Sequence, residues 1–136
     1  MSASLLYRIS SGLLALFALG HTIGFRQVDP RWKADSVVNG MRTVSFHVLG
    51  FNRTYWDFFS GFGFFASVFL VFAAVLAWQF GSMSPETLAA IPVVRWTFAG
   101  CFVIIAALTW RYFFFPPAAF STLAALGLVA AAWLGS

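Results

Sequence analysis

Residues 52–63 of the chain, NRTYWDFFSGFG, lead from a polar segment directly into a long apolar run. Thr54 and Asp57 match the capping-box pattern, in which a hydroxyl and a carboxylate three residues later satisfy free N–H groups at a helix start. The apolar run continues to Phe80, which makes it long enough to cross a bilayer as a helix. The stretch therefore predicts a spanning helix over residues 55–80, with polar groups in its first turn.

The composition of the whole chain indicates an integral membrane protein. Of its 136 residues, 61% are hydrophobic and only 9% are charged, and the mean hydropathy is +0.87. A globular domain has about 25% charged residues, so this chain cannot cover itself with a water-compatible surface. The net charge of +4 comes from eight scattered basic residues, which are too few for a nucleic-acid surface and instead report orientation and lipid contact.

The apolar runs predict an all-α fold, a four-transmembrane-helix bundle in a single domain of residues 1–136. Pro85 favours a helix start ahead of the third span, and Pro92 indicates a bend or the change from a surface turn to that span. The Pro116-Pro117 pair closes the third span and opens the fourth. The one long loop covers residues 26–54, and the predicted spans are residues 5–25, 55–80, 91–112 and 117–135.

The sequence also predicts the packing or exposure of several residues inside the predicted spans. Gly20 and Gly24 form a small-xxx-small pair, which lets another helix approach closely. Cys101 is the single cysteine, so an intramolecular disulfide is impossible, and we interpret it as a small buried apolar residue. Arg95 lies one turn into the third span and is expected to extend its side chain to the interface.

The second half of the long loop has an apolar stripe at helical spacing, formed by Val37, Met41, Val44 and Val48. This stripe predicts a short amphipathic helix that lies on the membrane surface or over the mouth of the bundle. The alternation from Val44 to Val48 suits a strand equally well. We favour the helix because a single short strand would have no partner.

The basic residues are distributed unequally between the two sides that a four-span topology creates. Six lie on the side of the long loop, whereas Arg8 and Arg95 lie on the other side. The positive-inside rule therefore predicts a cytoplasmic long loop with both termini outside. The inner parts of the second and third spans contain no charge, which disfavours a transporter. A pocket at the cytoplasmic interface is the favoured site.

Several polar and aromatic side chains are expected to lie at this same level. His21 is either a hydrogen-bonded interfacial histidine or a ligand contact, and a pairing with Asp57 would orient it for acid–base chemistry. Asp57 also has a structural interpretation, as the carboxylate of the helix cap. The arginines can clamp an anionic group or can merely set the topology. The candidate ligand-binding residues are His21, Arg42, His47, Arg53, Tyr55, Trp56, Asp57, Arg111 and Tyr112.

The sequence requires no cofactor. His21 and His47 could ligate a haem iron from its two faces, although membrane cytochromes place such ligands on spanning helices and His47 lies in a surface segment. A zinc site is disfavoured because only two histidines and one nearby carboxylate are on offer. The chain has no nucleophile elbow, phosphate loop, pair of acids or HExxH motif, so no motif supports an enzymatic activity.

Three stretches of the chain carry a resemblance to known proteins. The stretches GHTIG (residues 20–24), MRTVSF (residues 41–46) and RTYWDFFSGFG (residues 53–63) resemble a family of small four-helix bacterial inner-membrane proteins. The resemblance covers roughly residues 5–115 and depends mainly on the third stretch. It implies four spans and a bacterial inner membrane, and it implies no catalytic residues.

Three functions follow from these observations, in order of preference. The first is binding of a lipid-like ligand, such as an isoprenoid or a quinone, in a pocket at the cytoplasmic interface, with membrane lipids as partners. The alternative is a structural or accessory subunit of a larger membrane complex or homo-oligomer, which the small size, the many aromatic residues and the Gly20/Gly24 pair favour. The third is a bis-His haem membrane protein.

Overall fold

The computed structural model describes residues 2–135, and within that range the chain forms six α-helices and one β-hairpin. Four of the helices are long and apolar enough to cross a membrane, which confirms the prediction of four long apolar helices. The helices are α1 Ala3–Gly24, α2 Asp35–Thr43, α3 Tyr55–Phe80, α4 Pro85–Ala89, α5 Pro92–Tyr112 and α6 Phe115–Leu134. The strands are β1 Ser45–Val48 and β2 Phe51–Thr54, and a single 3-10 turn covers Pro30–Trp32.

The four long helices pack in the order α3, α1, α6, α5, so that α1 and α6 form the middle of the bundle. Their contacts are made largely by alanines that are fully buried, such as Ala73, Ala77, Ala99 and Ala131. Small side chains let helix axes approach closely, which compensates for the limited apolar volume of each contact. We call the end of the bundle next to residues 25–55 the loop end, and the opposite end the terminal end.

Aromatic side chains close the terminal end between the outer helices. The ring of Phe80 on α3 lies 5.3 Å from the ring of Tyr7 on α1 and 5.9 Å from the ring of Phe98 on α5, in both cases edge to face. Phe98 in turn meets Phe102 edge to face at 5.5 Å. Such pairs add about 0.5–1.5 kcal/mol each beyond the apolar area that they bury.

The predicted capping box at the start of α3 is present. The backbone N–H of Asp57 donates to the Thr54 hydroxyl at 3.1 Å, and the Asp57 carboxylate accepts from the backbone N–H of Thr54 at 2.8 Å. Reciprocal bonds of this kind satisfy two donors that a helix start leaves free. At the other predicted start, Pro85 opens only the five-residue helix α4, and a new helix begins at Pro92, as the change from a surface turn to a span requires.

The fold is mostly helical, as predicted, but the amphipathic helix does not continue through Val48, and a two-stranded sheet follows it. Helix α2 ends at Thr43, and β1 pairs antiparallel with β2 through a two-residue turn at Leu49 and Gly50. Both turn residues have positive φ, 48° and 85°, as in the hairpin turns whose twist matches that of the strands. The expectation failed because the partner strand, Phe51–Thr54, is the very segment that leads into the cap of α3.

Two side chains of α5 lie differently from the prediction. Arg95 does not extend to the interface: it is 1% exposed, and its Nη1 donates to the carbonyl oxygen of Ala132 at 3.0 Å. Cys101 is exposed on the outer surface of the helix instead of buried. The reason is the rotation of α5, whose buried face recurs at helical spacing and includes position 95 but excludes position 101. That face consists of Arg95, Phe98, Ala99, Phe102, Ala106 and Thr109.

The Gly20/Gly24 pair does not mediate a helix contact within residues 2–135. Both glycines are exposed, and a Cβ built at either position would have no atom within 4 Å. A different glycine provides the close approach at the loop end. Gly63 of α3 lies directly under the ring of Phe25, and any Cβ at position 63 would overlap that ring.

Candidate functional site

His21 lies near the loop end of α1 and is half-buried against α3. Its Nδ1 is 3.1 Å from the hydroxyl oxygen of Ser67, and the hydroxyl of Thr22 is 2.8 Å from the same oxygen. Ser67 follows Asp57 by ten residues, which corresponds to about 15 Å along a helix. The structure therefore pairs His21 with Ser67, and Asp57 remains the exposed carboxylate of the helix cap.

The ring of Phe25 connects His21 to the loop end of α3. The two rings stack with centroids 5.3 Å apart and planes 15° from parallel. On its other sides Phe25 meets Phe64 edge to face at 5.2 Å and Phe59 at 6.1 Å. The absence of a side chain at Gly63 leaves the room for this ring, which explains a glycine in the run SGFG.

Two arginines are held over aromatic rings of α3 at this end of the bundle. The guanidinium of Arg26 lies 5.1 Å from the ring centre of Phe64 and 5.6 Å from that of Phe25. The guanidinium of Arg42, from α2, lies 4.5 Å from the ring centre of Trp56. Cation–π contacts of this kind are worth about 0.5–1 kcal/mol at exposed sites and more where water is excluded.

Arg26 and Arg42 line one cavity, which has a volume of about 240 Å³ and lies between the end of α1 and helix α2. We call it the arginine cavity. Asp35 contributes the one carboxylate among the lining residues, so their formal charge sums to +1. The complete lining is Arg26, Val28, Asp35, Val38, Asn39 and Arg42.

Neither arginine of the cavity is neutralised by an ion pair. Within residues 2–135 the one ion pair joins Arg31 and Asp29 at 2.6 Å, and the hydrogen bonds from the Arg31 side chain lower the pKa of Asp29. Arg26 and Arg42 thus keep guanidinium donors for another anion. A guanidinium binds carboxylate and phosphate oxygens through two parallel hydrogen bonds, so the cavity is suited to an anionic group.

An apolar groove runs between α1 and α3 and starts close to the arginine cavity. Its volume is about 520 Å³, and the contributing side chains are mostly small or aliphatic. Thr22 at the loop end of the groove precedes Arg26 by four residues, which is about one helical turn, or 6 Å. The groove is lined by Ser11, Ala15, Ala18, Leu19, Thr22, Val71, Ala74, Val75 and Trp78.

The remaining predicted site residues lie on the hairpin, at the start of α3 or at the end of α5. His47 has its Nδ1 2.8 Å from the side-chain oxygen of Asn52 across the hairpin, and the Arg53 guanidinium lies 5.3 Å from the ring centre of Phe51. Tyr55 packs against Phe46, and the Arg111 guanidinium lies 5.3 Å from the ring of its neighbour Tyr112. None of these residues lines the arginine cavity.

The two histidines that the haem hypothesis pairs, His21 and His47, do not lie together in the structure. His21 is on α1 against Ser67 and Phe25, whereas His47 is exposed on β1 beside Asn52. Across residues 2–135, no three His, Cys, Asp or Glu side chains are grouped so that they could hold a metal ion.

Sequence reasoning identified Arg42 and Trp56 but missed Arg26, Asp35 and Asn39. A signal for the second group was present in the loop. Asp35, Asn39 and Arg42 recur at helical spacing and form the polar side of the amphipathic segment, opposite the valine stripe. Arg26 is the first charge after the first apolar run, directly beyond an aromatic residue.

Comparison of the chain with protein-family models, with curated proteins and with solved structures gave no match in any of the three.

Proposed function

We propose that this chain is an integral membrane protein of a bacterial inner membrane that binds a long-chain lipid with an anionic head group at the loop end of its bundle. The observation that carries the proposal is the arginine cavity, which Arg26 and Arg42 line together without an ion pair, beside an apolar groove. The cavity can therefore bind the polar head group of one elongated amphiphile, and the groove can bury its apolar tail. Isoprenyl phosphates and phospholipids have this chemistry.

The head group would lie between the two guanidinium groups. Each is held over a ring of α3, so its orientation is restricted before a ligand arrives, and less entropy is lost on binding. A hydrogen bond to a charged group contributes about 1.5–3 kcal/mol, so two arginines provide substantial affinity for a phosphate. A neutral quinone ring would leave both charges without a partner, which disfavours the quinone that the sequence left open.

The hydrocarbon chain would follow the groove towards the terminal end. Along α3, Val71 lies seven residues beyond Phe64 and Trp78 fourteen residues beyond it, which corresponds to about 10 Å and about 21 Å. A hydrocarbon chain whose head group lies at Arg26 must therefore be about 20 Å long to occupy the whole groove. This length favours an isoprenoid or a long acyl chain over a short-chain amphiphile.

The membrane location has its own support in the dimensions of the helices. Helices of 20–26 residues are about 30–39 Å long, as a bilayer requires. Trp56 and Trp78 are separated by 22 residues, about 33 Å, and tryptophans are enriched at the two interfaces of a bilayer. With six of the eight basic residues on the loop side, the proposal places the arginine cavity on the cytoplasmic side.

Native mass spectrometry of protein purified in a mild detergent tests the proposal. Wild-type protein is expected to carry an anionic lipid, and the double variant Arg26→Gln/Arg42→Gln is expected to lose it. Arg111→Gln is the matched control, because it removes an exposed arginine of the loop end that lies outside the cavity. Equal lipid occupancy in all three proteins would refute the proposal.

A second candidate function is that of a structural subunit, which one observation supports. Gly20 and Gly24 are exposed on α1 four residues apart with open space over both, which is the surface that another spanning helix needs for a close contact. If this function is correct, Gly20→Leu/Gly24→Leu would convert a defined complex into free protein in native mass spectrometry. Lipid occupancy would be retained, which separates this candidate from the first.

A further inference from the structure

The register of the β-hairpin determines which residues share a face, and it makes one face largely apolar and the other polar. Paired residues of an antiparallel sheet point to the same face, and successive residues of a strand alternate between faces. Because Val48 pairs with Phe51 and Phe46 with Arg53, these four residues share one face. The opposite face is entirely polar and consists of Ser45, His47, Asn52 and Thr54.

The apolar face has little cover from the rest of the chain. Val48 is 52% exposed, Phe51 is 61% exposed, and Leu49 at the turn is 92% exposed. Within residues 2–135 the hairpin pairs only with itself, so it is not part of a larger sheet. An apolar tip of this kind in water would favour aggregation, which indicates that another apolar phase covers it.

The uncovered face is continuous with the outer aromatic surface of α3. The ring of Phe46 lies 5.2 Å from the rings of both Tyr55 and Phe58, and Phe58 meets Phe62 at 6.3 Å. Phe62 is 70% exposed and belongs to the part of α3 that would contact lipid under the proposed membrane location. The hairpin therefore extends a surface that already leads to the bilayer.

The height of the hairpin along the bundle agrees with the head-group region. The end of α1 meets α3 at Gly63, under the ring of Phe25, so the eight residues of α3 before Gly63 extend about 12 Å beyond that contact. The hairpin is attached to the first turns of this extension through Tyr55 and Phe58. Because α3 has 26 residues and is about 39 Å long, it exceeds a hydrocarbon core of about 30 Å, and its first turns reach the head-group region.

We propose that the hairpin inserts its apolar face, with Val48, Leu49 and Phe51, into the lipid surface on the loop side of the membrane. The partner is the boundary between head groups and acyl chains. Arg53 shares the inserted face and lies over the ring of Phe51, so its guanidinium can bind head-group phosphates while its stem remains in apolar surroundings. The inference rests on the proposed membrane location, but it does not depend on a lipid in the arginine cavity.

Site-directed spin labelling in vesicles of phosphatidylcholine and phosphatidylglycerol tests this insertion. The chain is convenient for labelling because Cys101 is its single cysteine and is exposed on α5. A nitroxide at Cys101 of the wild-type protein reports whether α5 contacts hydrocarbon. In a Cys101→Ser background, labels at Leu49→Cys and Phe51→Cys probe the apolar face, and a label at His47→Cys is the matched control on the polar face of the same hairpin.

The expected result is an inversion of accessibility across the hairpin. Labels at positions 49 and 51 should collide with oxygen and be protected from a water-soluble nickel chelate, whereas the label at position 47 should be open to the chelate. Equal chelate accessibility at all three positions would overturn the insertion. Dipolar broadening between labels at position 49 would also overturn it, since a second copy of the chain would then cover the tip. If the Cys101 label is itself open to the chelate, the membrane location fails as well.

Discussion

The guanidinium of Arg42 lies 4.5 Å above the ring centre of Trp56, and this contact attaches the amphipathic helix α2 to the first turn of α3. Arg26 is held in the same manner over Phe64, two turns further along α3. The two arginines come from different elements, yet one helix orients both. The arginine cavity therefore exists because aromatic residues at the start of α3 serve as platforms for cations.

The variant Trp56→Leu tests whether the platform under Arg42 matters for binding. We expect the affinity for an anionic long-chain lipid to fall about two- to fivefold, because a cation–π contact of about 0.5–1 kcal/mol no longer orients the guanidinium. Lipid titration followed by native mass spectrometry provides the affinity. Trp133→Leu removes an exposed tryptophan at the terminal end, far from the cavity, and should leave the affinity unchanged. Equal losses in both variants would argue against a specific role for Trp56.

The pair Gly63→Ala and Gly61→Ala tests the packing of Phe25. At position 63 a Cβ overlaps the Phe25 ring, and we expect a destabilisation of about 1–3 kcal/mol together with weaker lipid binding, since Phe25 supports Arg26. At position 61 a Cβ meets nothing within 4 Å, so the same substitution should be neutral or should stabilise the helix by up to about 1 kcal/mol. Thermal unfolding in detergent measures both. A stable Gly63→Ala protein would show that Phe25 is free to move aside.

Ser10 and Gly127 form a contact between α1 and α6 that predicts a compensating pair of substitutions. A Cβ at Gly127 would lie 2.5 Å from the Ser10 hydroxyl oxygen, which is buried and has no hydrogen-bond partner within the described chain. Gly127→Ala should therefore lower the unfolding temperature. Ser10→Ala alone should be neutral or stabilising, because an unsatisfied buried hydroxyl costs about 1–3 kcal/mol. The double variant should recover wild-type stability, and a strictly additive loss would contradict the contact.

Arg95 is expected to contribute to stability through its burial at the terminal end. It donates to the carbonyl oxygen of Ala132 near the end of α6, where the helix dipole is negative. Arg95→Ala removes this bond and leaves a cavity, but it also removes a buried Nε that has no hydrogen-bond partner within the described chain, so we expect a net loss of about 1–3 kcal/mol. Arg111→Ala removes an exposed arginine at the other end of α5 and should change stability by less than about 0.5 kcal/mol. Similar unfolding temperatures for the two variants would contradict a structural role for Arg95.

The features that the sequence predicted well are local ones. The capping box of Thr54 and Asp57 depends on residues three positions apart, and the four long helices depend on continuous apolar runs, so both can be recognised without tertiary information. The hairpin was missed because its pairing joins β1 to residues that also precede a helix cap. The one local signal of the turn in the sequence was the glycine at position 50, which adopts a φ of 85° in the structure.

The site was harder to predict because it is assembled from separate elements. Arg26 follows α1, Arg42 belongs to α2, and Trp56 and Phe64 belong to α3, so only tertiary packing brings them together. Depth in the membrane is too coarse a guide for such contacts. It placed His21 near Asp57, whereas the packing of α1 against α3 sets His21 beside Ser67.

The most direct test of the central proposal is a comparison of two ligands that differ only in their head group. An isoprenyl phosphate and the corresponding neutral isoprenol are titrated into wild-type protein and into Arg26→Gln/Arg42→Gln in detergent. We predict that the wild-type protein binds the phosphate at least about tenfold more tightly, a difference of 1.4 kcal/mol, and that the double variant loses this preference. Equal affinity of the wild-type protein for both ligands would contradict an anion-binding role for the arginine cavity.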